Sequence, residues 1–294
     1  MDKSSLCSSF HKLQDKKEHD EGINVKYYYP STDLCNIVKY YWIVRVNDTS
    51  GNKKLAKISP SGFPEMIFHF ADSVSINTRS GNLAHQPSES LIAGQITQPV
   101  MIDMQKSLYC LCVKLQAWSL SALFGISSTD FTDRAMSLDN ISGKTKQLLN
   151  EQLFYASGDL EKIEIIEQCL RESLEKYGNR ISPATVQLIN YIKKNNRKQL
   201  SQITKEIHVS SRTLQRKFKE DTGISAKMFC RILRFNKAYH LIRSKDIGFQ
   251  DICFQLGYYD LSHLTNEFKA FTGNSPIKYF KEENIYNRFF AGQF

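Results

Sequence analysis

Arg212, Gln215, Arg216 and Lys219 follow one another at spacings of three, one and three. On a helix that spacing puts all four on one side. Three of them carry the forked or amide donors that can reach base edges in a major groove, and Lys219 adds a charge suited to phosphate. Leu214 and Phe218, four apart on the other side, are the pair such a helix would bury. Fifty residues later Leu264 and Phe268 repeat that pair, with Leu261, Ser262, His263, Thr265 and Asn266 around it. Two helices of one design are therefore expected, each with an apolar side and a polar side.

Their setting is an internal repeat, in which the stretch 200–229 resembles 249–280. Ile203 matches Ile252 and Ile207 matches Leu256 at an offset of 49, while Gly223 with Gly273 and Ser225 with Ser275 match at 50. The extra residue falls in a turn between the two apolar sets. Each copy reads as a short helix, a tight turn and a second helix, capped by Ser210 or Ser211 in the first copy and by Asp260 in the second. Between the copies, residues 226–243 read as one connecting helix. Met228, Ile232, Phe235, Tyr239 and Ile242 face inward on it, and Arg231, Arg234, Lys237 and Arg243 face outward. A stiff connector of this kind would hold two readers about one DNA turn, roughly 34 Å, apart.

These residues resemble the AraC/XylS family of bacterial transcription regulators over about residues 184–283. The match runs through Ser211, Leu214, Arg216, Phe218, Lys219 and Gly223, then Arg234 and Ala238. It continues through Ile252, Gly257, Tyr258, Asp260, Ser262 and His263, and ends with Phe268, Lys269, Gly273, Ser275, Pro276 and Tyr279. The resemblance implies base contacts from Arg212, Gln215 and Arg216 in the first copy and from Leu261, Ser262, Thr265 and Asn266 in the second. Ser211, Lys219 and His263 complete the expected DNA-facing set. It also implies double-stranded DNA and RNA polymerase as partners. Asn266 departs from a frequent arginine, keeping a bidentate amide but losing a charge, so the first copy is expected to supply more base-specific energy.

Charge agrees with this placement. The chain of 294 residues carries +9. Residues 181–294 hold 19 basic and 9 acidic side chains, and the first 180 are left at −1. An excess confined to one segment points to a polyanion bound there.

The first 180 residues look different. Residues 1–24 are expected to be a flexible lead-in. From Val25 to about Val113, short runs rich in Tyr, Ile, Val and Phe alternate with turn residues such as Ser59-Pro60-Ser61-Gly62, which predicts a β-rich sandwich or barrel. Leu111, Val113 and Leu115 alternate with Cys112 and Lys114 as a half-buried strand would. Helices are expected over 144–154 and 160–177, and the apolar stripe of the second could pack on its own domain or form a dimer seam. Pro30 with Leu34, Tyr41-Trp42, Glu65-Met66-Ile67-Phe68 and Gly94-Gln95 resemble a β-rich domain of unassigned role that precedes this DNA-binding domain in some family members. By analogy with other members it would be cupin-like and would bind a small-molecule effector or mediate homodimerisation.

Other chemistries find no residues. His11, His19, His69 and His85 form no H-x-H pair, so no metal or other cofactor is expected. Cys110 and Cys112 share one strand face without companion cysteines and read as buried packing. An alkyl-transfer DNA repair protein built on the same DNA-binding module is the rival reading, but the Pro-Cys-His-Arg setting of its nucleophile is absent. Scattered, odd-numbered cysteines and the lack of an apolar leader or span predict a cytoplasmic, non-enzymatic protein with no membrane partner. The expected class is α+β: a β-rich domain with trailing helices over 25–180, and an all-α domain of two helix-turn-helix units joined by a linker helix over 181–294.

Overall fold

The computed structural model describes residues 23–47, 54–71, 74–78, 81–85, 90–104, 107–138, 145–178, 181–194 and 211–282. It has the expected class, a β-rich first part followed by a helical second part. Among the described residues ten strands form two antiparallel sheets: β1 (Ile23–Tyr28), β2 (Val38–Asn47), β3 (Lys54–Ile58), β4 (Glu65–Ala71), β5 (Val74–Thr78), β6 (Gly81–His85), β7 (Ser90–Ala93), β8 (Val100–Met104), β9 (Ser107–Leu115) and β10 (Ala135–Ser137). One sheet runs β1-β2-β9-β4-β7-β10 and the other β3-β8-β5-β6.

The sheets face each other through Val25, Trp42, Val44, Leu91, Cys110 and Cys112 on one side and Ala56, Val100 and Ile102 on the other. The outer face of the larger sheet is covered in turn by three helices, α1 (Ser119–Phe124), α2 (Thr145–Tyr155) and α3 (Asp159–Tyr177). Tyr41, Ile43, Phe68, Leu111 and Val113 meet Leu123, Leu149, Ile163, Ile166 and Leu170 there. This layering corrects the reading of β9. Leu111, Val113 and Leu115 are buried as expected, and so are Cys110 and Cys112, but Lys114 is buried too, because the strand is central and covered on both faces. Cys110 and Cys112 lie side by side, Sγ to Sγ 3.7 Å, as packing residues.

The apolar stripe of α3 is spent on this core, so a dimer seam would have to use the polar side of that helix. Its first residue and its middle are tied down as well. Asp159 accepts from both terminal nitrogens of Arg45 and from Tyr109. Glu167 accepts from Tyr41, the Ser31 amide and Arg171. Arg171 also bonds Asp33 at 2.7 Å, and that bond leads the effects that hold the Asp33 carboxyl down at about 2.

The helical part comprises α4 (Pro183–Lys194), α5 (Ser211–Thr222), α6 (Ala226–Ser244), α7 (Phe249–Leu256), α8 (Leu261–Thr272) and α9 (Pro276–Lys281). Ser182 accepts from the Thr185 amide ahead of Pro183, as its cap role predicts. Leu188, Phe218, Phe229, Phe235, Tyr239, Phe268 and Tyr279 form the main core, and Ala117 and Trp118 of the first part enter that same core. The indole of Trp118 donates to the Asn36 carbonyl at 3.0 Å. The two parts thus meet through a continuous apolar seam. No helix among the described residues is long and apolar enough to cross a membrane.

Candidate nucleic-acid interface

On α5, Leu214 and Phe218 are buried while Arg212, Gln215, Arg216 and Lys219 are exposed. Ser211 is the first residue of the helix. Arg216 bonds Glu220 at 2.7 Å one turn on, but with 67% of its side chain in solvent the pair is easily exchanged for a ligand. On α8, Leu264 and Phe268 are fully buried. Leu261, Ser262, His263 and Asn266 are exposed and Thr265 is half-buried. The polar faces expected from spacing therefore exist on both helices, each anchored by the same Leu-Phe pair. The helix expected ahead of α5, with Ile203 and Ile207 and the Ser210 cap, lies outside the described residues.

The second unit is described in full. Gly257 ends α7 in the left-handed conformation, with its amide on the Cys253 carbonyl. Asp260 then caps α8, its Oδ1 accepting from the His263 amide at 2.7 Å. His263 is held by this turn: Nδ1 accepts from the Tyr259 amide at 3.3 Å, and the ring stands edge-on to Tyr258. With Nδ1 engaged as an acceptor, Nε2 is the ring nitrogen left to donate. Ile252, Cys253, Leu256, Tyr258 and Leu264 pack with Ala238 of α6 into a small second core.

The linker helix requires a correction. Arg231 and Arg234 do not simply face solvent, because both converge on Glu267 of α8. Arg231 Nε donates to it at 2.9 Å, and Arg234 does so through Nε and Nη2, each at 3.0 Å. Tyr258 donates to the same carboxylate at 3.0 Å, and the Arg234 guanidinium lies over the Tyr258 ring. Burial opposes ionisation of Glu267, yet the arginine and tyrosine bonds prevail and hold its carboxyl below the usual range. The helical period correctly placed the two arginines off the apolar stripe, but it carries no sign of a carboxylate 33 and 36 residues away. Lys237 remains exposed and Arg243 is half-buried.

Three further contributors had no sequence signal. Asn236 is buried in α6 and donates from Nδ2 to the Ser61 carbonyl at 2.9 Å. Ser128 and Thr132, in and just after the 3-10 turn Ser128–Phe131, donate to the Asp221 and Gly223 carbonyls at 2.7 and 2.6 Å. All three join the β-rich part to the helical part. Among the described residues no group of His, Cys, Asp and Glu is placed to hold a metal ion.

Residues 203–282 match the family Helix-turn-helix domain. Over 74 residues the chain is 31% identical to the HTH-type transcriptional activator RhaS of Escherichia coli O139:H28 (strain E24377A / ETEC). The C-terminal segment of this chain is an AraC-type helix-turn-helix domain. The RhaS match covers 25% of this chain and 27% of RhaS, so the chain spans about a quarter of the length of that relative. Ahead of the helix-turn-helix domain, residues 26–137 match the family Domain of unknown function (DUF6597), a span that runs from β1 to the last residue of β10. The fold is similar to that of ToxT from Vibrio cholerae, with a TM-score of 0.48 at 10% identity over 82% of this chain and 97% of that one. It is also similar to the C-terminal domain of AraT, a response regulator from Geobacillus stearothermophilus, with a TM-score of 0.34 at 28% identity over 36% and 90% of the respective chains. The comparisons lend the alkyl-transfer reading no support.

Proposed function

We propose that this chain is a sequence-specific DNA-binding transcription regulator that reads two successive major grooves. One observation carries the reading: α5 and α8, each fixed by a buried Leu-Phe pair, turn donor-rich faces to solvent. In this reading Arg212, Gln215 and Arg216, with Ser211 and Lys219, serve the first groove, and Leu261, Ser262, His263, Thr265 and Asn266 serve the second. RhaS is named a transcriptional activator, and likeness to it over the reader segment supports an activating role; contact with RNA polymerase is the route this reading assigns to it.

Selection of duplexes from a randomised pool by the full chain tests this. Two enriched half-sites about 10 base pairs apart are expected. Affinity should fall steeply with salt, with a log-log slope of roughly −0.9 per phosphate contact. A flat slope, or no enriched sequence, refutes the reading.

A second reading concerns an effector. Between the sheets lies a small cleft of about 80 Å³ walled by Trp42, Ile58, Ile67, Val100 and Ile102. A Lys114–Glu65 ion pair of 2.6 Å lies in it, and the buried Ser59 hydroxyl beside it has no hydrogen-bond partner among the described residues. A small apolar molecule with a hydrogen-bonding end fits that chemistry. A thermal-shift screen of the full chain, compared with Lys114→Met, separates a ligand site from packing. A hit that stabilises both proteins equally counts against the cleft.

A further inference from the structure

The C-terminal end of α5 is gripped from outside its own domain. In an isolated helix the last carbonyls lack amide partners. Here Asp221 O accepts from Ser128 Oγ at 2.7 Å, and Gly223 O, just past the helix, accepts from Thr132 Oγ1 at 2.6 Å. The seam is tight. Gly223 has φ +85°, and a Cβ there would stand 2.7 Å from the Ser128 carbonyl and 2.8 Å from Thr132 Oγ1. Asp221 is itself buried, with its carboxylate on Thr185 of α4 at 2.6 Å and Lys217 at 2.9 Å.

The second reader supplies a comparison within the molecule. Thr222 closes α5 by donating between the Phe218 and Ile224 carbonyls, and Thr272 closes α8 in the same way with Phe268 and Asn274. Both helices therefore carry their own terminator. Yet what a Cβ on Gly273 would meet is only the flexible Lys57 ammonium, at 3.4 Å. Since α8 ends properly with no hydroxyl grip among the described residues, the grip on α5 is not needed to end that helix. What it fixes is the direction in which the helix points. Arg212 lies nine residues from the gripped end, about 13 Å along the axis at 1.5 Å per residue, so a tilt of about 10° moves it by roughly 2 Å. That displacement is enough to lose a base-edge hydrogen bond.

We propose that Ser128 and Thr132 are positioning residues for base reading by α5, so that the β-rich domain sets the specificity of the first half-site without touching DNA. The proposal rests on the DNA-reading function above. Its test is the same duplex selection, run with the full chain as wild type, Ser128→Ala/Thr132→Val and Ser128→Thr/Thr132→Ser. Gln215→Ala first identifies the half-site that belongs to α5. In the Ala/Val variant, preference at that half-site should fall roughly three- to tenfold, the worth of one or two hydrogen bonds, while the other half-site and the salt slope stay as in wild type. The Thr/Ser variant, which keeps both hydroxyls, should return the wild-type sequence. A loss spread evenly over both half-sites, or no loss, overturns the positioning role. Absence of any enriched sequence with the wild type refutes DNA reading itself.

Discussion

Replacing Glu267 by glutamine should destabilise the protein far more than a change of one oxygen to one NH₂ suggests. The carboxylate is 3% exposed and receives four hydrogen bonds, three of them from guanidinium nitrogens on α6. Glutamine keeps one acceptor oxygen and turns an NH₂ toward arginine N–H groups, so at least two bonds are lost along with the charge that matched two half-buried cations. Hydrogen bonds to charged groups contribute about 1.5–3 kcal/mol each. Arg231, with 34% of its side chain exposed, recovers part of that as hydration, whereas Arg234, at 22%, recovers less. A loss of about 3 kcal/mol follows, near the lower end for a broken buried ion pair.

Urea unfolding of the full chain, followed by the fluorescence of Trp118 in the affected core, measures it. Glu220→Gln is the control, since its partner Arg216 is largely in solvent, and it should cost under about 0.5 kcal/mol. The pH dependence has a definite sign. Because Glu267 titrates below its usual 4.5 when folded, its contribution is complete above that value and disappears as pH falls through the folded pKa. The gap between wild type and variant should be constant from pH 5 to 8 and close only in stronger acid. A Glu267→Gln cost equal to that of the control, or a gap that closes above pH 5, would refute the assignment of Glu267 as the clasp between linker and second reader.

Three further outcomes are expected. Gly223→Ala should cost more than about 2 kcal/mol in thermal unfolding, since left-handed backbone and a 2.7 Å clash combine; Gly178→Ala, at φ −61° with no contact under 3.6 Å, should be neutral or mildly stabilising. On one selected duplex, Arg216→Ala should lose more specific binding than Asn266→Ala, each within the roughly 1–3 kcal/mol of a bidentate contact; equal losses would sink the ranking of the two readers. Burial, then the nearby charges of Lys114 and Lys193, push the Lys39 ammonium down to about 7. The unfolded chain therefore binds the extra proton between that pH and the usual 10.5, and stability rises with pH across the window. Lys39→Met should raise the denaturation midpoint at pH 7 and below, by an amount that vanishes toward pH 10.5.

What the sequence disclosed was whatever repeats over a few residues. The Leu214–Phe218 and Leu264–Phe268 pairs, the Asp260 cap and the Ser182-Pro183 helix start are local patterns, and each stands where its spacing puts it. Alternation along β9 told which residues share a face but not that both faces are covered, because a second sheet and three helices contribute that cover from elsewhere in the chain. Arg231 and Arg234 failed for the same reason. Their period said outward from one helix, and outward happened to be toward Glu267. Ser128, Thr132 and Asn236 had no signal, since a single hydroxyl or amide acquires meaning only from a carbonyl about 90 to 175 residues distant.

The division of charge acquires a physical sense at the seam. The first 180 residues carry −1 and the remainder +10, so a β-rich domain that held the first reader through carboxylates would place negative charge near a surface meant for phosphate. At the end of α5 the holding groups it offers are hydroxyls instead, donating to backbone carbonyls whose helix end already bears partial negative charge. Neutral donors satisfy that end without a counter-charge that DNA would have to overcome. The Asp221 side chain, next to the gripped carbonyl, is buried and paired with Lys217. In the proposed reading, contact with the near-neutral domain holds the direction of α5 while leaving the basic charge of the helical part intact, and the same contact would give the β-rich domain a mechanical hold on which sequence is read.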